Sequence, residues 1–157
     1  APSVMLHGPG EQKWEYLPRI ISGAISFAIG MSEPGAGSDL ASVQTRAEAD
    51  GDDFIINGQK IWTSNAHLSD LIWLVTRTNP DAPKHRGISF LLVDMKAPGI
   101  NVRPLINMGW SHGFNEVFFE DVHTPIKNRV GEENRGWYVS VTLMDFERSR
   151  FSSKPSA

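Results

Sequence analysis

From Gly10 to Ile21, apolar side chains recur at helical spacing (Trp14, Leu17, Ile21) among the good helix formers Glu11, Gln12 and Lys13. That spacing predicts a helix. Pro18 stands inside it, so the expected form is a short helix or two half-turns, closed by Gly23. From Phe27 the pattern changes. Val43, Thr45, Ala47 and Ala49 alternate with Gln44, Arg46, Glu48 and Asp50, the period of a half-buried strand. Asp50-Gly51 signals a hairpin, and Phe54-Ile55-Ile56 resumes the extended chain. Asn57-Gly58 signals a second hairpin, followed by Gln59 to Ser64, in which Lys60 and Trp62 share one strand face.

Leu71 to Thr76 and Ile88 to Val93 read as apolar strands around the polar loop Asn79 to His85. Ile100, Val102 and Leu105 continue the pattern despite Pro104. Glu116 to Glu120 is a short aromatic strand, and Asp121-Val122 leads into a loop carrying Pro125. Short strands with turn signals about ten residues apart predict a sandwich or barrel. The last segment is ambiguous: Trp137, Val139, Val141 and Leu143 alternate like a strand, whereas Leu143 to Arg150 suits a helix. Glu132, Glu133 and Asn134 would suit a helix start, and the tail Phe151 to Ala157, with Pro155, should fray.

Composition narrows the possibilities. A chain of 157 residues, 40% hydrophobic and 21% charged, can build one domain with a core. The formal net charge of −3 argues against a nucleic-acid or anionic-membrane partner. No stretch is long and apolar enough for a membrane span, and Ala1 to Met5 has no signal-peptide character. Without cysteine there is no disulfide or thiolate, which suits a reducing compartment such as the cytoplasm. His7, His67, His85, His112 and His123 are scattered, so no metal site is expected. The start at Ala1 points to a fragment or a processed chain.

Met31 to Asp39 concentrates the candidate chemistry. An apolar run from Ile25 enters it, Pro34, Gly35 and Gly37 bend it, and Ser32, Ser38 and Asp39 supply polar groups. Glycine lets a ligand approach the backbone, so the segment is either a tight turn or an anion cradle. A P-loop is excluded because no lysine follows Gly37, and a Rossmann fingerprint because Leu40 replaces its third glycine. Trp62 is a core aromatic or a flat wall for a planar ligand, with the hydroxyls of Thr63 and Ser64 beside it. Asp145-Phe146-Glu147-Arg148 is a solvated helix face or a carboxylate aimed into an apolar pocket, where desolvation makes a useful base.

Phe27 to Asp39 closely resembles the signature of the acyl-CoA dehydrogenase family, and Asn57 to Ser64 resembles its second signature. Arg86 to Phe90, Phe119 to Val122 and Val130 to Trp137 are also similar to it. The resemblance implies a mainly β fold: the family's middle β-barrel with short flanking helices. Residues 1–24 would end an N-terminal helical domain, 25–133 form the barrel, and 134–157 begin a truncated C-terminal helical domain. A helix from Gly136 to Arg150 is then preferred over the local strand pattern.

It also implies FAD as cofactor, bound by Ile29, Gly30, Met31, Ser32, Gly37, Ser38, Trp62, Thr63 and Ser64. The implied reaction is α,β-dehydrogenation of an acyl-CoA in fatty acid β-oxidation, with electrons passing to an electron-transfer flavoprotein. In the isovaleryl- and long-chain-like subgroup, Glu147 occupies the position of the catalytic base; in most members that base lies in the C-terminal domain. Asp145 and Arg148 match positions that hold CoA, with Ser38 near the acyl-CoA. The family further implies a homo-oligomer, in the bacterial cytoplasm or, in a eukaryote, the mitochondrial matrix. The rival readings are a non-catalytic barrel module and an acyl-CoA oxidase-like relative.

Overall fold

Leu71–Arg77 is apolar on both faces, and the sheet is built around it in the computed structural model, which describes residues 2–152 and the side chains of residues 2–148. Two helices come first, α1 (Pro2–His7) and α2 (Gly10–Ile21). The strands follow: β1 (Phe27–Gly30), β2 (Arg46–Asp50), β3 (Asp53–Lys60), β4 (Leu71–Arg77), β5 (Ile88–Asp94), β6 (Ile100–Ile106) and β7 (His112–Pro125). Helix α3 (Gly136–Ser152) closes the described chain.

One edge of β4 carries β5, antiparallel from Leu71↔Asp94 to Arg77↔Ile88. The other edge is shared. Strand β1 lies parallel along Leu71 to Leu74, and β2 joins at Arg46↔Arg77. Beyond β2 the order is β3, β7, β6, all antiparallel, and the seven strands curl into a half-barrel. Because β1 and β2 sit on the same edge, residues 31–45 form an excursion from it, which leaves at Gly30 and returns at Arg46.

Strand alternation divides the core in two. Trp73 and Val75 join Phe90, Leu92, Tyr16 of α2 and Val139 of α3 on the face the helices cover. Ile72 and Leu74 join Leu91, Phe54, Ile56, Val117 and Phe119 on the other. This is the expected mainly β architecture with flanking helices, as one curled sheet rather than a two-sheet sandwich.

Several local expectations change. Helix α2 is continuous through Pro18. A proline removes only the hydrogen bond to the carbonyl four residues back, here that of the exposed Trp14, where water can replace it. The helix then ends in Gly23 at φ +72. Val43, Thr45 and Ala47 are buried as alternation predicts, but ladder pairing starts only at Arg46, and Ala49 is exposed.

Asn57-Gly58 makes no hairpin: β3 runs straight through it. The register shifts between Ile56↔Val122 and Gly58↔Phe119, which leaves one extra residue on β7. That bulge is at Asp121, with φ +49, and Asn57 satisfies both its N–H and its carboxylate at 2.9 Å. Gly58 is required because a Cβ there would fall 2.6 Å from Thr45 Cα. Strand β7 is accordingly long, and Pro125 ends it rather than sitting in a separate loop.

The Trp137–Leu143 alternation lies in helix, as the family resemblance implies. Val139 and Ser140 are buried, and Leu143 and Met144, one turn on, pack on the same cluster. The hydroxyls of Ser140 and Thr142 donate to the carbonyls of Gly136 and Tyr138, so neither needs a sheet partner. Of the tail expected to fray, Phe151 and Ser152 continue α3; residues 153–157, Pro155 included, lie outside the described residues.

Candidate active site

The excursion between β1 and β2 is held by one carboxylate. Glu33 accepts the backbone N–H of Gln44 (2.6 Å) and of Thr45 (2.9 Å), which closes the loop at its neck. It also takes the Lys60 ammonium at 2.8 Å, and Lys60 donates to the Met31 carbonyl at 3.1 Å. Both side chains are buried, at 0% and 7% exposure. Next along, the Ile61 N–H donates to the Ser32 carbonyl at 2.9 Å. The end of β3 is thus stitched to residues 31–33.

Burial pushes the Lys60 ammonium down to about 8, the Glu33 attraction offsetting only part of that. Burial would raise Glu33, but Lys60 and the donors of Thr45 and Gln44 outweigh it and hold the carboxyl below its ordinary value. Arg77, also buried, donates to the carbonyls of Ala41, Val43 and Lys84 and fixes the loop's far side.

Trp62 does not share a face with Lys60. Strand β3 ends at Lys60, opposite Val117, and Thr63 is the next residue to pair, its N–H donating to Asn115 at 3.0 Å. Three residues on one side therefore match two on the other. The extra one is Trp62, at φ +60, and this bulge turns the indole outward to 61% exposure while Lys60 points in. The ring of Phe114 meets the indole edge-on at 6.3 Å.

Beside this turn is a cavity of about 370 Å³, lined by Phe27, Ile29, Met31, Ser32, Ile61, Trp62, Ser64, Asn65 and Glu147. It is large enough for a small-molecule site. Its walls are aromatic and aliphatic; hydroxyls, an amide and one carboxylate stand among them. Two distant stretches of chain, the end of β1 and the end of β3, meet there with α3.

Of the residues singled out from the sequence, Ile29, Met31, Ser32, Trp62, Ser64 and Glu147 line this one cavity. Gly30 is buried behind it, where a Cβ would fall 2.7 Å from Ile72 Cδ1. Thr63 is 1% exposed, and its hydroxyl has no hydrogen-bond partner among the described residues. Gly37 and Ser38 are exposed and do not line the cavity; neither do Asp145 and Arg148, exposed on α3, and Glu147 between them is exposed as well rather than desolvated in an apolar pocket. Sequence reading missed Phe27, Ile61 and Asn65 as lining groups, and Glu33–Lys60 as the pair that sets the geometry. Parity could have found Lys60, since Phe54 and Ile56 put even positions inside.

The family described as "Acyl-CoA dehydrogenase, middle domain" matches residues 28–122. "Acyl-CoA dehydrogenase FadE29" of Mycobacterium tuberculosis is 47% identical over 147 residues, covering 94% of this chain and 38% of the relative. The mitochondrial "Long-chain specific acyl-CoA dehydrogenase" of Mus musculus is 42% identical over 151 residues, covering 94% and 35%. The solved "Tcur3481-Tcur3483 steroid ACAD" superposes with a TM-score of 0.90 at 48% identity, covering 94% and 38%. The chain therefore spans well under half the length of these relatives. On this match across its sheet, its two signatures and its fold, the chain belongs to the acyl-CoA dehydrogenase family, of which it carries the middle domain.

Proposed function

We propose that this chain forms the flavin-holding core of an FAD-dependent enzyme that removes hydrogen from Cα and Cβ of an acyl-CoA thioester. The observation that carries the reading is the meeting of Ser32, Trp62, Ser64 and Glu147 around one cavity. The lining fits a flavin ring: a planar tricycle with polar edges needs a flat apolar wall and hydrogen-bonding groups at its rim. The Trp62 indole is the wall, and Ser32, Ser64 and Asn65 are the rim. FAD bound there would accept the two electrons that leave with the β-hydrogen. Gly37-Ser38, outside the cavity, would reach the pyrophosphate and the acyl-CoA.

Among the described residues Glu147 is the only carboxylate lining the cavity, and it would take the proton from Cα. Asp145 and Arg148, beside it on α3, would hold the CoA portion. In this reading residues 1–24 end a first helical domain, 25–133 form the barrel and 134–157 begin a second helical domain. The electrons would go on to an electron-transfer flavoprotein, and the protein would act as an oligomer. The identity to the steroid ACAD is 48%, against 42% to the long-chain enzyme, which favours a bulky polycyclic acyl group.

The purified protein is expected to take up FAD and show flavin absorbance, and a scan of acyl-CoA thioesters should find one that bleaches it. Glu147→Gln should keep the flavin and abolish bleaching. A protein that takes up no FAD is a non-catalytic module. Bleached flavin that recolours rapidly in air marks an oxidase, and bleaching unchanged in Glu147→Gln removes that residue as the base.

A further inference from the structure

The Trp62 bulge has a built-in support that lies outside the cavity. Asn115 is fully buried in β7, and its backbone carbonyl accepts the Thr63 N–H at 3.0 Å. Its side-chain Nδ2 donates back to the Thr63 carbonyl at 2.9 Å, so one residue grips both backbone polar groups of Thr63. Two residues upstream, the Gly113 carbonyl accepts the Asn65 N–H at 2.9 Å. The far end of the Asn115 amide meets two histidines. Its Oδ1 is 2.7 Å from His112 Nε2, and its Nδ2 is 3.2 Å from His67 Nδ1. The two imidazoles stack at 3.8 Å between centroids and 19° between planes.

These bonds fix the orientation of the amide. Turning it over would set Oδ1 against the Thr63 carbonyl, acceptor against acceptor. With Oδ1 facing His112, that ring must carry its proton on Nε2. With Nδ2 facing His67, that ring must leave Nδ1 bare. Both tautomers are therefore dictated by the grip on Thr63. A non-glycine residue at φ +60 persists only where its surroundings over-determine it.

We infer that Asn115, oriented by the His67–His112 stack, is a positioning residue that holds Trp62 in its left-handed conformation and so sets the plane of the indole wall. The inference rests on the flavin reading only for its consequence. The grip itself can be tested without any ligand.

The indole N–H resonances of the five tryptophans provide that test, with Trp62 assigned by its loss in Trp62→Phe. In Asn115→Leu, which keeps the number and branching of the heavy atoms and removes the amide, the Trp62 signal should shift or broaden. The signal of the buried Trp73 should stay, which reports an intact core. In His112→Phe, which keeps the ring face and loses the N–H, the Trp62 signal should move in the same direction by less. With FAD added, Asn115→Leu should bind it about tenfold more weakly, the effect of one lost buried hydrogen bond.

A Trp62 signal unmoved in Asn115→Leu with Trp73 intact overturns the inference. If Asn115→Leu disturbs Trp73 as well, His112→Phe decides: an unmoved Trp62 signal there overturns it too. Wild-type protein that binds no FAD overturns the proposed function instead and leaves the resonance result standing.

Discussion

Two lysine–carboxylate pairs anchor on the same loop, Glu33 at its neck and Asp39 midway along it, and they share almost nothing but length. Glu33–Lys60 closes at 2.8 Å with both side chains buried; Asp39–Lys84 closes at 2.7 Å with both 59% exposed. The inner pair is saturated. Glu33 also takes two backbone N–H groups, and Lys60 also donates to a carbonyl. The outer pair stands largely in solvent, and among the described residues the Asp39 carboxylate takes, besides Lys84, only the Ser42 hydroxyl. Contact distance therefore says little about what a pair does. The inner one fixes where Met31 and Ser32 stand relative to Trp62. The outer one decorates a loop already held by Arg77.

The largest effect should come from unpairing the inner carboxylate. Lys60→Met leaves Glu33 charged and buried, which should cost about 3–5 kcal/mol in denaturant unfolding. The double variant Glu33→Gln/Lys60→Met should recover part of that. A single Lys60→Met costing under about 1 kcal/mol would put the inner pair on the same footing as the outer one.

Gly58→Ala attacks the same pair from behind. Its Cβ would press on Thr45, whose N–H serves Glu33, and at φ +151 the residue cannot easily swing away. A loss of about 1–3 kcal/mol is expected by the same denaturation assay.

Titration bears on the inner pair at both ends of the pH range. The folded pKa of Glu33 lies below its ordinary 4.5. Its stabilisation is therefore full above that pH and lost as pH falls toward the folded value; Glu33→Gln should flatten the acid limb of stability. Lys60 gives a slope of the same sign in an alkaline window. The folded chain releases its proton near 8, the unfolded chain near 10.5, so the unfolded state binds more protons between them. Lys60 thus makes unfolding harder as pH rises through that window. Tyr16, raised above 10 by burial and Glu15, pulls the other way only beyond pH 10. Comparing wild type with the double variant at pH 8 and pH 10 should show a rise that depends on Lys60. The smallest effect belongs to Lys84→Ala, whose unfolding midpoint should coincide with wild type, at low salt and high.

Much of this was legible along the chain, and what was not has a physical pattern. Strands β4 and β5 are apolar on both faces and could hardly be anything else. Asn57-Gly58 misled because the pair favours positive φ and local turns in any setting. Only the distant neighbours Thr45 and Asp121 decide that it faces a bulge instead. The Trp137–Leu143 alternation is equally compatible with a helix once Ser140 and Thr142 can bond back to their own turn. In the site, the cavity wall and the hydroxyls were readable from the two signatures. The inward turn of Lys60 was readable from strand parity. The outward turn of Trp62 was not, because nothing local predicts a left-handed tryptophan. It depends on Asn115, more than fifty residues away.

A crystal structure of the purified protein with FAD shows whether the cavity beside Trp62 holds a flavin ring. The isoalloxazine should lie against the Trp62 indole, with Ser32 and Ser64 at its edge and Glu147 facing the space beside it. A flavin seated elsewhere on the sheet, or a cavity that stays empty at saturating FAD, would contradict that placement.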